Sequence, residues 1–143
     1  MSGASWRTTQ SMRSEKSAES HVVCLVDDNP LVLNSLRNLL ASDGISARSF
    51  DKAETFLAHI EVHRVELVVL DIRMVGMTGL EVQAHLSSIC CQTRVIIITG
   101  SERPDDERNA MQAGAIAFFT KPFDDEQFLA VVHGALDHSS ELT

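Results

Sequence analysis

Four short apolar runs in this chain each end in a polar residue suited to handling a phosphoryl group. VVCLV (22–26) leads into Asp27 and Asp28, LVVL (67–70) into Asp71, Val95 and three isoleucines into Thr99, and IAFFT (116–120) into Lys121 and Pro122. Three carboxylates in one place repel unless a cation lies among them. Hard oxygen donors of this kind suit Mg2+, which keeps several waters and takes few protein carboxylates. Capping a following helix needs a single side chain, so it does not account for all three acids. A carboxylate such as Asp71 can act as a nucleophile toward phosphorus and form an acyl phosphate. Phosphoryl transfer depends mainly on in-line positioning and charge neutralisation. Lys121 would add positive charge there, and Thr99 offers a hydroxyl to a phosphoryl oxygen.

These residues are far apart in sequence and meet only if the runs are strands of one parallel sheet. β-branched apolar runs separated by amphipathic stretches read as buried parallel strands alternating with helices, and ligands of such sheets sit beyond the carboxyl ends of the strands. From His21 onward the alternation occurs five times, which predicts an α/β, (βα)5 doubly wound five-stranded sheet with right-handed crossovers. Asn29 and Pro30 suit the start of the first helix, Val32, Leu36, Leu39 and Leu40 form its apolar stripe, and Gly44 suits its end. Residues 45–50 alternate apolar and polar side chains, as a half-exposed edge strand does. Asp51 and Glu54 have capping-box spacing ahead of a stripe of Ala53, Phe56, Leu57 and Ile60. Thr78 and Glu81 have the same spacing before Val82, Leu86 and Ile89. The fourth helix opens on Pro104-Asp105-Asp106-Glu107, acids suited to the positive end of the helix dipole but reading as a solvated start, and Gly114 ends it. The fifth is expected over about 123–137, burying Phe128, Leu129, Val132 and Leu136.

A chain of 143 residues is about one domain and long enough for a real core. Its formal net charge of −8, with no cluster of Lys and Arg, argues against direct nucleic-acid binding and against an anionic membrane surface. The three cysteines make no disulfide framework: Cys24 lies in an apolar run, and Cys90 and Cys91 are adjacent, which is poor geometry for a bridge. A reducing, cytoplasmic location fits best, and no segment approaches the ~20 apolar residues of a membrane span. Residues 1–20 hold six serines and no periodicity and read as a disordered leader. The expected organisation is leader 1–20, one domain over 21–138, and a tail or linker start over 139–143.

The segments VDDN, LDIRMVGMTGLE, IIITG and FFTKPF, in this order and spacing, resemble the response-regulator receiver domains of two-component signalling over about residues 21–137. The resemblance implies a flavodoxin-like strand order 2-1-3-4-5. It implies Asp71 as the phosphoacceptor, Asp27 and Asp28 as Mg2+ ligands with Asp71, and the backbone carbonyl of Arg73 as a further ligand. Thr99 and Lys121 would be the switch hydroxyl and the phosphate-binding lysine, Phe118 the aromatic switch residue, and the peptide before Pro122 cis. The chain departs from the family pattern at Val75, where proline is common after the methionine.

A receiver takes its phosphoryl group from a sensor histidine kinase, catalyses its own phosphorylation and hydrolyses the product slowly. The subgroup that this sequence resembles precedes a LuxR-type (FixJ/NarL-like) DNA-binding domain, whose opening Glu141-Leu142-Thr143 resembles. Control of transcription through an output domain absent from this chain is then expected. Such relatives commonly pair through the fourth helix and fifth strand, so a phosphorylation-dependent homodimer is expected too. The alternatives are a stand-alone regulator acting by protein contact and a Mg-dependent aspartyl phosphatase. Such phosphatases usually place one residue between the two aspartates after the first strand, and here the pair is adjacent. No Gly-rich phosphate loop follows any strand.

Overall fold

The computed structural model describes residues 22–89 and 92–142, with side chains as far as residue 137. The expected leader and the pair Cys90 and Cys91 lie outside the described residues. Strands and helices alternate five times: β1 (Val23–Val26), α1 (Pro30–Ser42), β2 (Ala47–Phe50), α2 (Ala53–Val62), β3 (Leu67–Asp71), α3 (Gly79–Ser88), β4 (Arg94–Thr99), α4 (Asp106–Gln112), β5 (Ala117–Thr120) and α5 (Asp125–Leu142). The five strands form one sheet in the order β2-β1-β3-β4-β5, every pair parallel. Among the described residues no helix is long and apolar enough to cross a membrane.

Side chains alternate across a strand, and here the alternation divides the core between the two faces of the sheet. Cys24, Val26, Val68, Leu70, Val95 and Ile97 pack on one face against Phe56 and Ile60 of α2, Val82 and Leu86 of α3 and Ala110 of α4. Leu25, Val69, Ile96 and Ile98 pack on the other, against Leu33, Leu36 and Leu40 of α1 and Phe128, Val132 and Leu136 of α5. Strands buried on both faces carry the unbroken apolar runs that a parallel sheet requires. The edge strand β2 is half-exposed along most of its length, as its alternating sequence predicts.

Most of the punctuation follows the sequence. Asn29 accepts from the Leu31 N–H at the start of α1, Pro30 is its first residue, and Gly44 and Gly114 take positive φ after α1 and α4. Thr78 accepts from the Glu81 N–H while Glu81 accepts from the Thr78 N–H, a complete capping box. Replacing Thr78 by alanine is expected to cost about 1 kcal/mol, read as a lower urea midpoint at unchanged slope.

Several expectations are corrected. No capping box opens α2: its N-cap is Lys52, which has no side-chain acceptor, and Asp51 stands one residue too early. In α1 the buried stripe is Leu33, Leu36 and Leu40, with Val32 and Leu39 only partly covered at its margin. Ile89 is exposed at the C-cap of α3, and Gln83 is buried instead, donating from Nε2 to the Ala110 carbonyl at 3.1 Å. In α5, Leu129 is partly buried. That helix begins two residues late because Asp124 caps it, accepting from the N–H groups of Glu126 and Gln127. It runs on to Leu142, since neither glycine nor proline follows Asp137.

Candidate functional site at the strand ends

Register brings the chemistry together. Val26 lies beside Leu70, Asp71 beside Ile98, and Thr99 beside Thr120, so the residues that follow emerge side by side at one edge. Further backbone bonds lock the rows: Ile72 donates to the Ile98 carbonyl at 3.0 Å and Lys121 to the Thr99 carbonyl at 2.8 Å. Asp27, Asp71 and Thr99 are buried at this edge, Lys121 is partly covered, and Asp28 is exposed.

Each carboxylate has a different set of partners. Asp27 Oδ1 accepts from the Asn29 N–H at 2.9 Å, and Asp27 Oδ2 lies 3.2 Å from Lys121 Nζ. Asp28 Oδ2 accepts from the Val75 N–H at 3.0 Å. This bond needs the amide hydrogen that proline at position 75 would lack, while the Val75 side chain is 88% exposed. Asp71 Oδ1 is buried and accepts no hydrogen bond; its nearest cation is Lys121 Nζ, at 4.0 Å. Burial and then the charge of Asp27 push the Asp71 carboxyl up to about 6, against the opposing pull of Lys121 and the backbone N–H of Arg73.

These features fit a hard divalent cation. One oxygen from each of Asp27, Asp28 and Asp71 falls within 4.8 Å of the others, and a buried carboxylate oxygen without a donor is one that a metal or a phosphoryl centre can engage. Thr99 Oγ1 accepts from the Ser101 N–H at 3.2 Å, which leaves its own proton free to donate. Phe118 is partly buried and packs on the core face that carries Ala110 of α4. The peptide between Lys121 and Pro122 is cis.

Gly79 supports the strand that carries Asp71 directly. A Cβ built there would lie 2.7 Å from the Asp71 carbonyl oxygen and 3.0 Å from Ile72 Cα. Both are backbone atoms that cannot swing away, so Gly79→Ala must push β3 and α3 apart. It is expected to cost about 1–3 kcal/mol and to slow any reaction at Asp71, whereas a merely tolerated methyl would leave both the unfolding midpoint and the reaction rate unchanged.

One residue escaped the sequence reading. Asp106 was expected to be a solvated acid at a helix start, yet it is only 6% exposed. Its Oδ2 accepts from the Arg103 N–H at 2.8 Å and pairs with Arg73 Nη2 at 2.5 Å. The available signal was the three acids opening a helix with almost no apolar residues, with an arginine two positions after Asp71.

Comparison with known proteins agrees with this geometry. The family model "Response regulator receiver domain" matches residues 23–133. The response regulator protein TodT of Pseudomonas putida is 36% identical over 120 residues, covering 84% of this chain and 53% of TodT. The transcriptional regulatory protein FixJ of Rhizobium meliloti is 33% identical over 118 residues, covering 82% and 58%. The chain thus spans little more than half the length of these curated relatives. Among solved structures, the crystal structure of FixJ-N superposes with a TM-score of 0.76 at 33% identity, covering 82% of this chain and 94% of that one. A CheY-like receiver domain from Methanospirillum hungatei gives a TM-score of 0.79 at 24% identity, covering 86% and 98%, a likeness of fold. With the flavodoxin-like strand order, the acidic triad at the strand ends and the family match over most of its length, the chain belongs to the response-regulator receiver domains of two-component systems.

Proposed function

We propose that this domain accepts a phosphoryl group on Asp71 from a phosphohistidine of a sensor histidine kinase and that the acyl phosphate sets its signalling state. The observation that carries this is Asp71 Oδ1, a buried carboxylate oxygen without a hydrogen-bond donor, beside two further aspartates and a lysine. An Asp71 oxygen attacks phosphorus, the bond from phosphorus to the donor nitrogen breaks, and the leaving imidazole takes up a proton. Asp27, Asp28 and Asp71, with the Arg73 carbonyl, would hold Mg2+, which offsets the charge of the carboxylates and of the incoming phosphoryl oxygens. Lys121 shifts from Asp27 toward the new dianion, and the free Thr99 proton donates to a phosphoryl oxygen. Drawing Thr99 inward frees space for Phe118, so the modified state favours a conformation already present as a minor one.

The output reading is an effect on transcription through a DNA-binding domain; its effect on transcription is supported by the transcriptional regulatory protein FixJ among the relatives. A stand-alone regulator would act instead by protein contact. A homodimer is supported by the dimer reported for the beryllofluoride-activated NtrC4 receiver, 26% identical with a TM-score of 0.77 over 82% of this chain and 97% of that one, and α4 and β5 are the elements we propose it would use. Incubation with Mg2+ and a small phosphoramidate donor tests the core of the proposal. A phosphoryl label retained on the protein is expected. Continuous hydrolysis of added phosphoesters with none retained would favour a phosphatase. Light scattering before and after labelling tests the dimer.

A further inference from the structure

The loop after Asp71 and α4 meet through a part-buried ion pair that the chemistry at Asp71 does not itself require. Arg73 follows Asp71 by two residues, and its backbone N–H faces the Asp71 carboxylate. Its side chain leaves the site and reaches Asp106, the first residue of α4. Asp106 cannot turn away easily, because the same oxygen accepts the Arg103 N–H at 2.8 Å. The guanidinium is held through Nη2, while its buried Nε has no partner.

Little else holds α4 in place. Of its seven residues only Asp106 and Ala110 are buried, and the Ala110 carbonyl takes the Gln83 side chain at 3.1 Å. An element with so little apolar contact belongs to the low-stability end of a fold, and its polar ties decide what it follows. We propose that Asp106 is a positioning residue for the acceptor: by holding the Arg73 guanidinium it fixes the backbone that faces Asp71, and so couples the position of α4 to the state of Asp71. The inference rests on the reading of Asp71 as the acceptor. Coupling of this kind is reciprocal in free energy, so the state of Asp71 and the affinity of a partner for α4 shift one another by the same factor.

The test uses Asp106→Asn, which can still accept from the Arg103 N–H but loses the charge, together with Arg73→Gln and the double variant. Acyl-phosphate lifetime is expected to change by at least about threefold in Asp106→Asn, with Arg73→Gln adding nothing in the double variant. Amide spectra supply a readout that needs no phosphoryl group. Asp71→Asn is expected to shift the amides of Glu107 and Ala110, and in the Asp106→Asn background those shifts should fall to about half or less. Equal shifts in both backgrounds, or additive effects on lifetime, would overturn the coupling. If the wild-type chain retained no phosphoryl group, the acceptor reading would fail, and the amide comparison would still decide the tie between Asp71 and α4.

Discussion

Asp71→Asn is expected to abolish retention of a phosphoryl group and, in the absence of metal, to make the protein more stable. The amide oxygen of asparagine is too weak a nucleophile to form the acyl bond, so the loss should be complete. The gain in stability has a separate cause. Burial and the neighbouring Asp27 raise the Asp71 carboxyl from 3.8 to about 6 in the folded chain. Between those values the folded state binds more protons than the unfolded state. Stability therefore falls as pH rises from about 4 to about 6, and the full penalty is present above that. A shift of this size corresponds to at most about 3 kcal/mol, and asparagine avoids it. Urea unfolding of the metal-free proteins should show Asp71→Asn to be more stable by about 1–3 kcal/mol at pH 7, with the difference shrinking toward pH 4. A wild type as stable as the variant at both pH values would contradict the electrostatic account of the site.

Lys121→Ala carries the second large effect. The ammonium lies 3.2 Å from Asp27 Oδ2 and 4.0 Å from Asp71 Oδ1, and both aspartates are buried. Removing it leaves two carboxylates close together without their cation, which should destabilise the metal-free protein by about 1–3 kcal/mol. In the proposed reaction it also removes a charge that would face the phosphoryl oxygens. Loss of one such preorganised group costs about a hundredfold or more in rate, so label uptake should fall by about that factor. Mg2+ replaces part of the missing positive charge, so its addition should raise the unfolding midpoint of Lys121→Ala more than that of the wild type. Chelation of the metal should halt uptake in both. An unchanged rate in Lys121→Ala would exclude this residue from the phosphoryl site.

The parts of the fold and site that were legible in the sequence are those governed by local rules. Unbroken apolar runs at β1, β3 and β4 gave the buried strands, because both faces of a parallel sheet are covered. Asp27, Asp28, Asp71, Thr99 and Lys121 are singled out because they stand at the carboxyl ends of strands, and parallel register brings them to one edge. The Thr78–Glu81 box was readable because both of its bonds lie within four residues. Several of the readings that failed depend on distant partners. Asp106 resembles any exposed acid at a helix start, and the charge that offsets its burial is Arg73, 33 positions earlier. Gln83 is buried because the Ala110 carbonyl, 27 residues away, accepts from it. In α1 the adjacent apolar residues Leu31, Val32 and Leu33 left the phase of the stripe open by one residue, and packing against α5 and the sheet selected Leu33. The tie from Val75 to Asp28 spans 47 residues and uses a backbone hydrogen, which side-chain patterns do not register.

The most direct test of the central claim is to trap the phosphoryl group chemically where it lands. The wild-type chain is incubated with Mg2+ and a phosphoramidate donor and then reduced with borohydride, which converts an aspartyl phosphate to homoserine. Peptide mass spectrometry then identifies the modified residue. Homoserine is expected at position 71, dependent on Mg2+, and none after Asp71→Asn. Label on a histidine or on another aspartate, or retention that survives Asp71→Asn, would contradict it.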